Sequence, residues 1–482
     1  MKDLGKKTVS GLIYKFAERF SVQLVNFYIS IVLARILAPE EFGTIALVTI
    51  LITILDVFVN YGFGNSLIVN KKSDDLDFST CFWFGLFLAI FFYIIIFVSA
   101  PLIAEHYSTP ILTPIIRIMA LRMPLSAINT VQHAYVSKQM LFKKFFISTS
   151  IGTVISGVLA LIMAYTGYGI WALVIQYLSN IFLDTIFLSI IVKWRPYLMF
   201  SWSRLKIIYD YGWKILGVGL LDTIYNQLSS FVIADRYSRA DLAYYTKGVH
   251  FPGAGMYAII PTIDSVVFPA LSNCNDDLAR MKYMTRVLIK SATFITMPIL
   301  IMLIAVAEPL VLSLLTEKWT NSIIFVQIAS LSLLLRPVQT INNNVIRASG
   351  KSGMLLKLDI IKKGVGIVLI LFSIPFGVKA IALCSVFVNY FSTFVNIWPN
   401  RKILRYGYKE QFNDIIPNLI ISSIMGVCIW LFIYLPFTDT IKLIIQLIAG
   451  MFIYWFLAVA FKLEAYKLLK KQLFSYIKNS RN

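Results

Sequence analysis

Charged residues are scarce in this chain. They make up 14% of its 482 residues, whereas a soluble domain carries about 25%. Hydrophobic residues make up 58%, and the mean hydropathy is +0.77. A soluble fold of this length has too small an interior for so much apolar surface, but a lipid bilayer accepts it. The composition therefore argues against a soluble protein and predicts an all-α integral membrane protein.

The sequence also lacks the short motifs of common enzymes and metal sites. It contains no phosphate-binding loop of the GxxxxGK[ST] type, no HExxH and no GxSxG. Its four cysteines show no CxxC spacing, so neither a metal site nor a disulfide framework is supported. We therefore expect no enzyme, no metal site and no bound cofactor. Any work that the protein does would then be driven by a substrate gradient, an ion gradient or a partner.

Acidic residues are few beside basic ones. The chain has 24 Asp and Glu against 44 Lys and Arg, which gives a formal net charge of +20. The basic residues do not cluster in one domain but recur between apolar runs, as they do in the cytoplasmic loops of membrane proteins. This spacing argues against a nucleic-acid partner and indicates a membrane topology.

The apolar runs predict fourteen transmembrane helices, each of about 20 residues or more. In chain order they cover about 11–38, 42–69, 78–104, 111–137, 145–166, 169–192, 211–236, 241–270, 285–307, 320–347, 355–375, 377–399, 412–435 and 440–462. With the N-terminus inside, every external turn is short and almost free of Lys and Arg, so both termini are expected in the cytoplasm. The basic tail, 463–482, is expected to lie on the inner leaflet.

Matching residues at nearly constant offsets indicate an internal repeat. Residues 30–34 match residues 230–234 at an offset of 200, and Leu121-Arg122 matches Leu335-Arg336 at an offset of 214. Six spans per repeat give two halves of the same orientation, as in transporters that rock two lobes around a central site. We predict an N-lobe at 1–192, a cytoplasmic linker at 193–210, a C-lobe at 211–399, an additional helix pair at 400–462 and the tail at 463–482.

Charged side chains within the spans are the best indicators of function, because each is costly in lipid. They lie mainly on spans one, two, seven and eight, with contributions from spans four and ten, and we expect these spans to line a central cavity. The predicted cations for an anionic substrate are Lys15, Arg19, Arg122, Lys214, Lys247 and Arg336. The predicted polar groups are Asn26, Asn60, Tyr225, Asn226, Gln227, Asn342 and Asn343. The acidic candidates for Na⁺ or H⁺ coupling are Asp56, Asp222 and Asp264.

Residues 34–47, ARILAPEEFGTIAL, carry a family resemblance. This segment resembles the signature near the start of Wzx-type polysaccharide flippases, in the multidrug/oligosaccharidyl-lipid/polysaccharide (MOP) exporter superfamily. The fourteen spans, two six-helix lobes and cytoplasmic termini are also similar to that family, so the resemblance covers the whole chain. It implies a MATE-like fold with a cationic cavity between two lobes.

The resemblance also implies an activity. Such proteins move undecaprenyl-diphosphate-linked sugar repeat units from the cytoplasmic to the periplasmic leaflet by alternating access, for O-antigen, capsule or exopolysaccharide. The implied partners are this glycan, membrane lipids and other surface-polysaccharide assembly proteins, in the bacterial inner membrane. By the same resemblance, Arg19 corresponds to diphosphate-binding arginines on span one, and Asp56 to acidic residues of the drug-exporting branch.

Two alternatives stay open within the same superfamily. A lipid II flippase would carry the same headgroup with a different sugar. A cation-coupled multidrug exporter would carry cations, which the excess of basic residues in the cavity disfavours. A membrane glycan polymerase is disfavoured because it would need a long external loop, and every external turn here is short.

Overall fold

The computed structural model describes residues 21–60, 63–69, 73–139, 141–192, 194–274, 277–468 and 470. These residues are almost entirely helical, and no strand occurs among them. The first nine helices are α1 (Ser21–Ile36), α2 (Pro39–Asn60), α3 (Phe63–Val69), α4 (Asp75–His106), α5 (Leu112–Met119), α6 (Arg122–Lys138), α7 (Phe142–Tyr165), α8 (Trp171–Ile191) and α9 (Trp202–Arg236). They are followed by α10 (Arg239–Ser272), α11 (Leu278–Ala305), α12 (Ala307–Leu314), α13 (Ile323–Leu333), α14 (Arg336–Ala348), α15 (Ser352–Ser373), α16 (Val378–Ile403), α17 (Tyr408–Trp430) and α18 (Asp439–Ala460).

The predicted all-α membrane fold is confirmed. Within the described residues, ten helical segments are long and apolar enough to cross a membrane. They correspond to ten of the fourteen predicted spans. The other four predicted spans fall on α1, whose predicted start lies outside the described residues, on the broken pair α5–α6, and on the charge-rich helices α9 and α15. The total of fourteen crossings therefore stays a prediction.

Two of the predicted spans are broken helices. Span four divides into α5 and α6 after Met119, and span ten divides into α13 and α14 after Leu333. Proline explains both breaks, because its nitrogen has no hydrogen to donate to the carbonyl four residues earlier. Pro124 lies four residues after Ala120, and Pro337 lies four residues after Leu333. The breaks occur at equivalent places in the predicted repeat.

The chain divides by its contacts into two compact units, residues 1–243 and 244–482. In the first unit, a buried core joins α4, α6, α8 and the start of α9 around Phe78, Phe82, Leu188, Trp194 and Leu205. The predicted linker at 193–210 thus contains packed residues, and α9 already begins at Trp202. The predicted lobe boundaries stay a prediction.

In the second unit, α17 is fastened to α11 by charged and polar groups. Asp414 accepts two 2.8 Å hydrogen bonds from Arg286 and one of 2.7 Å from Tyr406, and Lys290 lies 3.1 Å away. Asn418 continues the seam by donating to the Lys290 carbonyl oxygen at 3.0 Å. The first helix of the predicted additional pair, α17, is therefore bonded to α11.

Large apolar side chains also cover the outside of both units. On α4 they include Phe87, Val98 and Leu102, and on α18 they include Phe452 and Phe456, all more than half exposed. So much exposed apolar surface is unfavourable in water but favourable against lipid tails. The chain is a multi-pass membrane protein.

Candidate functional site

A polar seam joins α2 and α6 inside the first unit. Asp56 and Asn60 are four residues apart on α2, and Arg122, Ser126 and Thr130 follow the same spacing on α6, so each set lies along one helical face. The Nε of Arg122 lies 3.5 Å from Oδ2 of Asp56, an ion pair without hydrogen-bond geometry. Asn60 Oδ1 accepts hydrogen bonds from the hydroxyls of Ser126, at 3.0 Å, and Thr130. This α2–α6 seam thus brings together three of the predicted site residues.

The two ends of the ion pair differ in exposure. Asp56 is only 8% exposed, and its Oδ1 has no hydrogen-bond partner within the described part of the chain. The Arg122 side chain is 39% exposed, although its Nε, which faces the Asp56 carboxylate, is buried. Arg122 is also the first residue of α6, where the half-helix presents the positive end of its dipole. The geometry favours an anionic ligand at this arginine.

A second polar face of α6 points to α7 and α8. Asp184 of α8 is buried and accepts hydrogen bonds from Asn129 at 3.3 Å, Ser148 at 2.9 Å and Thr149 at 3.1 Å. His133 Nε2 lies 3.5 Å from the same carboxylate. Sequence reasoning missed this cluster. The available signal was Asp184 itself, because it is the single charged residue of α8.

In the second unit, Arg336 is the residue that matches Arg122 in the predicted repeat. It is the first residue of α14, it is exposed, and its Nη1 donates a 3.3 Å hydrogen bond to Gln339. The next turns of α14 carry a separate pair. Arg347 Nη1 lies 3.2 Å from Asp264 of α10, and Asn344 donates to the same carboxylate at 2.8 Å. Asp264 is therefore an ion-pair partner in this conformation.

The predicted sugar-binding amides of α14 differ in availability. Asn342 is fully buried, and its amide bonds to Gln411 and Asn400 at 2.9 and 2.5 Å. Asn343 is half-buried, and its Oδ1 has no hydrogen-bond partner within the described residues. Asn343 is thus better placed than Asn342 to meet a ligand, and a sugar-binding role for both stays a prediction.

The remaining predicted cations are separated. Lys247 is buried in the second unit, with its Nζ 5.7 Å from the centre of the Trp319 ring. Lys214 is exposed on α9 in the first unit, and Lys15 and Arg19 lie outside the described residues. The other predicted polar residues are half-buried or exposed on α1 and α9: Asn26, Asp222, Tyr225, Asn226 and Gln227. Because these residues are divided between two units, their convergence in one cavity stays a prediction.

Comparison with protein families decides what kind of protein carries these seams. A family described as polysaccharide biosynthesis proteins matches residues 32–324, more than half of the chain. The chain belongs to this family. The matched region contains the PEEFG segment, both units in part, and the α2–α6 seam. The family expected from the sequence is confirmed.

Relatives of this chain have related names. The succinoglycan biosynthesis transport protein ExoT of Rhizobium meliloti is 25% identical over 288 residues, which cover 60% of this chain and 58% of that protein. The lipopolysaccharide biosynthesis protein WzxC of Escherichia coli is 22% identical over 88% of both chains. The teichuronic acid biosynthesis protein TuaB of Bacillus subtilis is 22% identical over 98% of this chain and 99% of its own. The chain thus spans just over half of the first relative and most of the other two.

Solved structures share the fold. A lipid II flippase, MurJ, in an inward closed conformation superimposes with a TM-score of 0.74, covering 94% of this chain and 98% of its own at 14% identity. An inward-facing multidrug resistance MATE transporter of the MOP superfamily gives a TM-score of 0.62, covering 80% and 98%, also at 14% identity. At such low identity these likenesses establish the fold, and the expected MOP-type architecture is confirmed.

Proposed function

We propose that this polysaccharide biosynthesis protein is a flippase for undecaprenyl-diphosphate-linked oligosaccharide repeat units. It would move them from the cytoplasmic to the periplasmic leaflet by alternating access, for assembly of a surface polysaccharide. Family membership supports the pathway, and the names of the relatives place them in the synthesis or transport of such polymers. The proposed location is the bacterial inner membrane, with both termini in the cytoplasm.

The observation that carries the proposal is the pair of arginines at the helix breaks. Arg122 begins α6 and Arg336 begins α14, and both follow a break inside a predicted span. Arg122 lies eleven residues after the start of its predicted span at 111, a rise of about 16 Å for an unbroken helix, so we expect it near the middle of a hydrocarbon core of about 30 Å. Guanidinium groups bind phosphate oxygens in bidentate geometry. Either arginine could therefore bind a phosphate group of the diphosphate.

The other predicted residues take supporting roles in this proposal. Lys15, Arg19, Lys214 and Lys247 would add positive charge for the headgroup. The exposed or half-buried amides would meet the sugars. Broken helices and inward-facing charges are typical of transporter sites near the membrane midplane, where unwound backbone lines a cavity. The lipid tail would remain in the bilayer throughout.

Two related functions compete with this one. A lipid II flippase would use the same cations, because its cargo carries the same diphosphate. A multidrug exporter would take cations and would gain nothing from Arg122 or Arg336. The relatives' names favour the polysaccharide cargo, whereas the likeness to MurJ and to MATE transporters concerns the fold alone.

The test begins with deletion of the gene in a strain that makes the surface glycan. Lipid-linked repeat units should accumulate in the inner leaflet, and surface glycan should be lost. Accumulation of lipid II instead would establish the first alternative. Intact surface glycan without accumulation of either lipid would refute the flippase proposal.

The site is tested by complementing this strain with Arg122→Ala and Arg336→Ala. Both variants should reach the membrane in normal amounts and fail to restore export. Arg117→Ala is the matched control, because Arg117 lies in the same predicted span but stacks on Phe97, 4.3 Å from the ring centre, and donates to its carbonyl oxygen. Export by both arginine variants at the control level would show that the diphosphate binds elsewhere.

A further inference from the structure

The half-helix α14 carries Arg336 in the second unit. Pro337 removes a backbone hydrogen bond between α14 and α13, because its nitrogen cannot donate to the Leu333 carbonyl oxygen. The position of α14 therefore depends more on its lateral contacts than the position of a continuous helix does. Several of those contacts are made by polar side chains, which are costly in a membrane segment unless they are bonded.

Polar residues at the start of α14 fall on two sides of the helix. Arg336, Thr340 and Asn343 recur at intervals of four and three residues, and all three are exposed or half-buried. Asn342 lies on the opposite side and is fully buried, whereas Gln339 lies between the two sides and is 3% exposed. The accessible side can meet a ligand, and the buried side meets the neighbouring helices.

Gln339 connects Arg336 to α16. Its Oε1 accepts a 3.3 Å hydrogen bond from Arg336 Nη1. Its Nε2 donates to the Asn389 carbonyl oxygen at 2.6 Å and to Thr393 Oγ1 at 3.0 Å, and both of these acceptors belong to α16. One end of the amide thus orients the guanidinium, and the other end fixes that orientation to a neighbouring helix. Because glutamine is neutral, it does so without reducing the positive charge of Arg336.

Asn342 fastens α14 to α16 and α17. It forms a reciprocal amide pair with Gln411 of α17, donating at 2.9 Å and accepting at 3.0 Å. Its second hydrogen goes to the Val338 carbonyl oxygen, and its Oδ1 also accepts from Asn400 of α16. Asn342, Asn400 and Gln411, the amide cluster, are all fully buried. An asparagine side chain has two donor and two acceptor positions, so Asn342 uses all four within the protein.

We propose that Gln339 and Asn342 are positioning residues for the anionic headgroup of the cargo. They hold α14 against α16 and α17, so that the Arg336 guanidinium meets a phosphate group in a fixed orientation and little ordering is required on binding. Asn342 contacts protein in place of the sugar that the sequence predicts for it. The role in binding rests on the proposed function, whereas the fastening of α14 holds whatever the cargo is.

Two other roles would give different results. If the amides only stabilise the helix bundle, their loss lowers stability and leaves the affinity of the folded protein unchanged. If Asn342 contacts the sugar, its loss weakens binding of a sugar-bearing cargo and leaves a sugar-free headgroup unaffected. A probe that carries the diphosphate without a sugar therefore separates positioning from both alternatives.

The experiment measures the affinity of the purified full-length chain in nanodiscs for undecaprenyl diphosphate, which has no sugar. Gln339→Met and Asn342→Leu remove the amides at similar side-chain volume. Each should weaken binding about 3- to 10-fold, as expected for the loss of about one hydrogen bond. Wild-type affinity in both folded variants would overturn the positioning role.

Tyr406→Phe is the matched control. The Tyr406 hydroxyl donates to Asp414 at 2.7 Å, whereas its backbone carbonyl oxygen accepts from Gln411 at 3.3 Å. The substitution therefore removes a buried hydrogen bond beside the amide cluster and keeps the contact with Gln411. Tyr406→Phe should lose stability and bind the probe as the wild type does. A loss of affinity equal to that of Asn342→Leu would overturn the proposal, because it would show that any destabilisation weakens binding.

The fastening of α14 is measured without cargo, by hydrogen exchange of the backbone amides of residues 338–348. Exchange should be faster in Gln339→Met and Asn342→Leu than in the wild type, and unchanged rates would overturn the fastening. If these two variants do not fold, Thr393→Val decides, because it removes one acceptor of Gln339 with little change in volume. It should accelerate exchange and weaken binding in the same direction, and wild-type values for both would overturn the proposal.

Arg336→Ala separates this inference from the proposed function. Gln339 acts through Arg336, so Gln339→Met should weaken binding little further when Arg336→Ala is already present, and a full additional loss would overturn its positioning role. If Arg336→Ala alone binds the probe as tightly as the wild type, the proposed diphosphate contact is wrong and the positioning role falls with it. Hydrogen exchange then still decides whether the amides fasten α14.

Discussion

Gly43 in the PEEFG segment leaves no room for a side chain. A Cβ built on it would lie 1.8 Å from the carbonyl oxygen of Arg239 and 2.6 Å from its carbonyl carbon. Contacts of about 3.5 Å would require the two backbones to separate by about 1.7 Å. Gly43 therefore permits the start of α10 to rest directly on α2 within the first unit.

Gly43→Ala should destabilise the protein by about 1 to 3 kcal/mol through this overpacking, relative to a matched glycine-to-alanine change. Gly85→Ala supplies the match, because Gly85 lies within α4 and its added Cβ would meet nothing within 4 Å. Each substitution gains helix propensity of about 1 kcal/mol over glycine, so this term cancels in the comparison. The difference between the two variants therefore reports the contact with Arg239.

Thermal unfolding of both variants in detergent measures the stability difference, and complementation of a deletion strain measures export. Gly43→Ala should unfold at a lower temperature than Gly85→Ala and export less glycan. Equal unfolding temperatures would refute the reasoning, because they would show that α2 and α10 do not approach so closely in the protein.

Three further predictions concern polar contacts. Arg122→Ala leaves Asp56 buried without its cation, so adding Asp56→Asn should recover part of the lost stability, with a coupling energy of about 0.5 to 3 kcal/mol in a double-mutant cycle. Asp414→Asn breaks the seam between α11 and α17 and should cost about 3 kcal/mol in denaturant unfolding. Asp74→Ala removes the N-cap of α4 and should cost about 1 kcal/mol at neutral pH. The backbone N–H of Asp77 donates to the Asp74 carboxylate and holds the pKa of Asp74 below its usual value. The charged carboxylate therefore stabilises the fold near neutral pH, and this stabilisation is lost as the pH falls through the lowered pKa.

Each of these three has its own control. Additive losses in the Arg122 and Asp56 cycle would contradict a direct interaction. The control for Asp414→Asn is Glu410→Gln, which removes a partly exposed partner of Lys282 at 2.9 Å and should cost no more than about 1 kcal/mol. An equal loss of stability in the two variants would contradict the special role of the buried Asp414 carboxylate. Asp74→Ser should keep most of the cap without the acid dependence, and a variant as unstable as Asp74→Ala would argue against capping.

The membrane class and the polar helix faces follow from the sequence alone, and the internal repeat is predicted from it. Length and apolarity of a run determine whether it can span lipid, and this is a local property. The spacing between Asp56 and Asn60, like that of the polar residues along α6, is also local, because it depends on the geometry of one helix alone. Even the helix breaks are local, because Pro124 and Pro337 each remove one hydrogen bond.

Tertiary structure decided which of these faces meet. Helical periodicity shows that Asn129 and His133 share a face of α6, but not that Asp184 of α8 lies opposite them. In the same way, the glycine of the PEEFG segment is readable as a motif, while the Arg239 backbone that requires it lies almost two hundred residues away. Buried charges in a membrane are neutralised by partners on other helices, so their roles depend on packing between segments that local sequence does not encode.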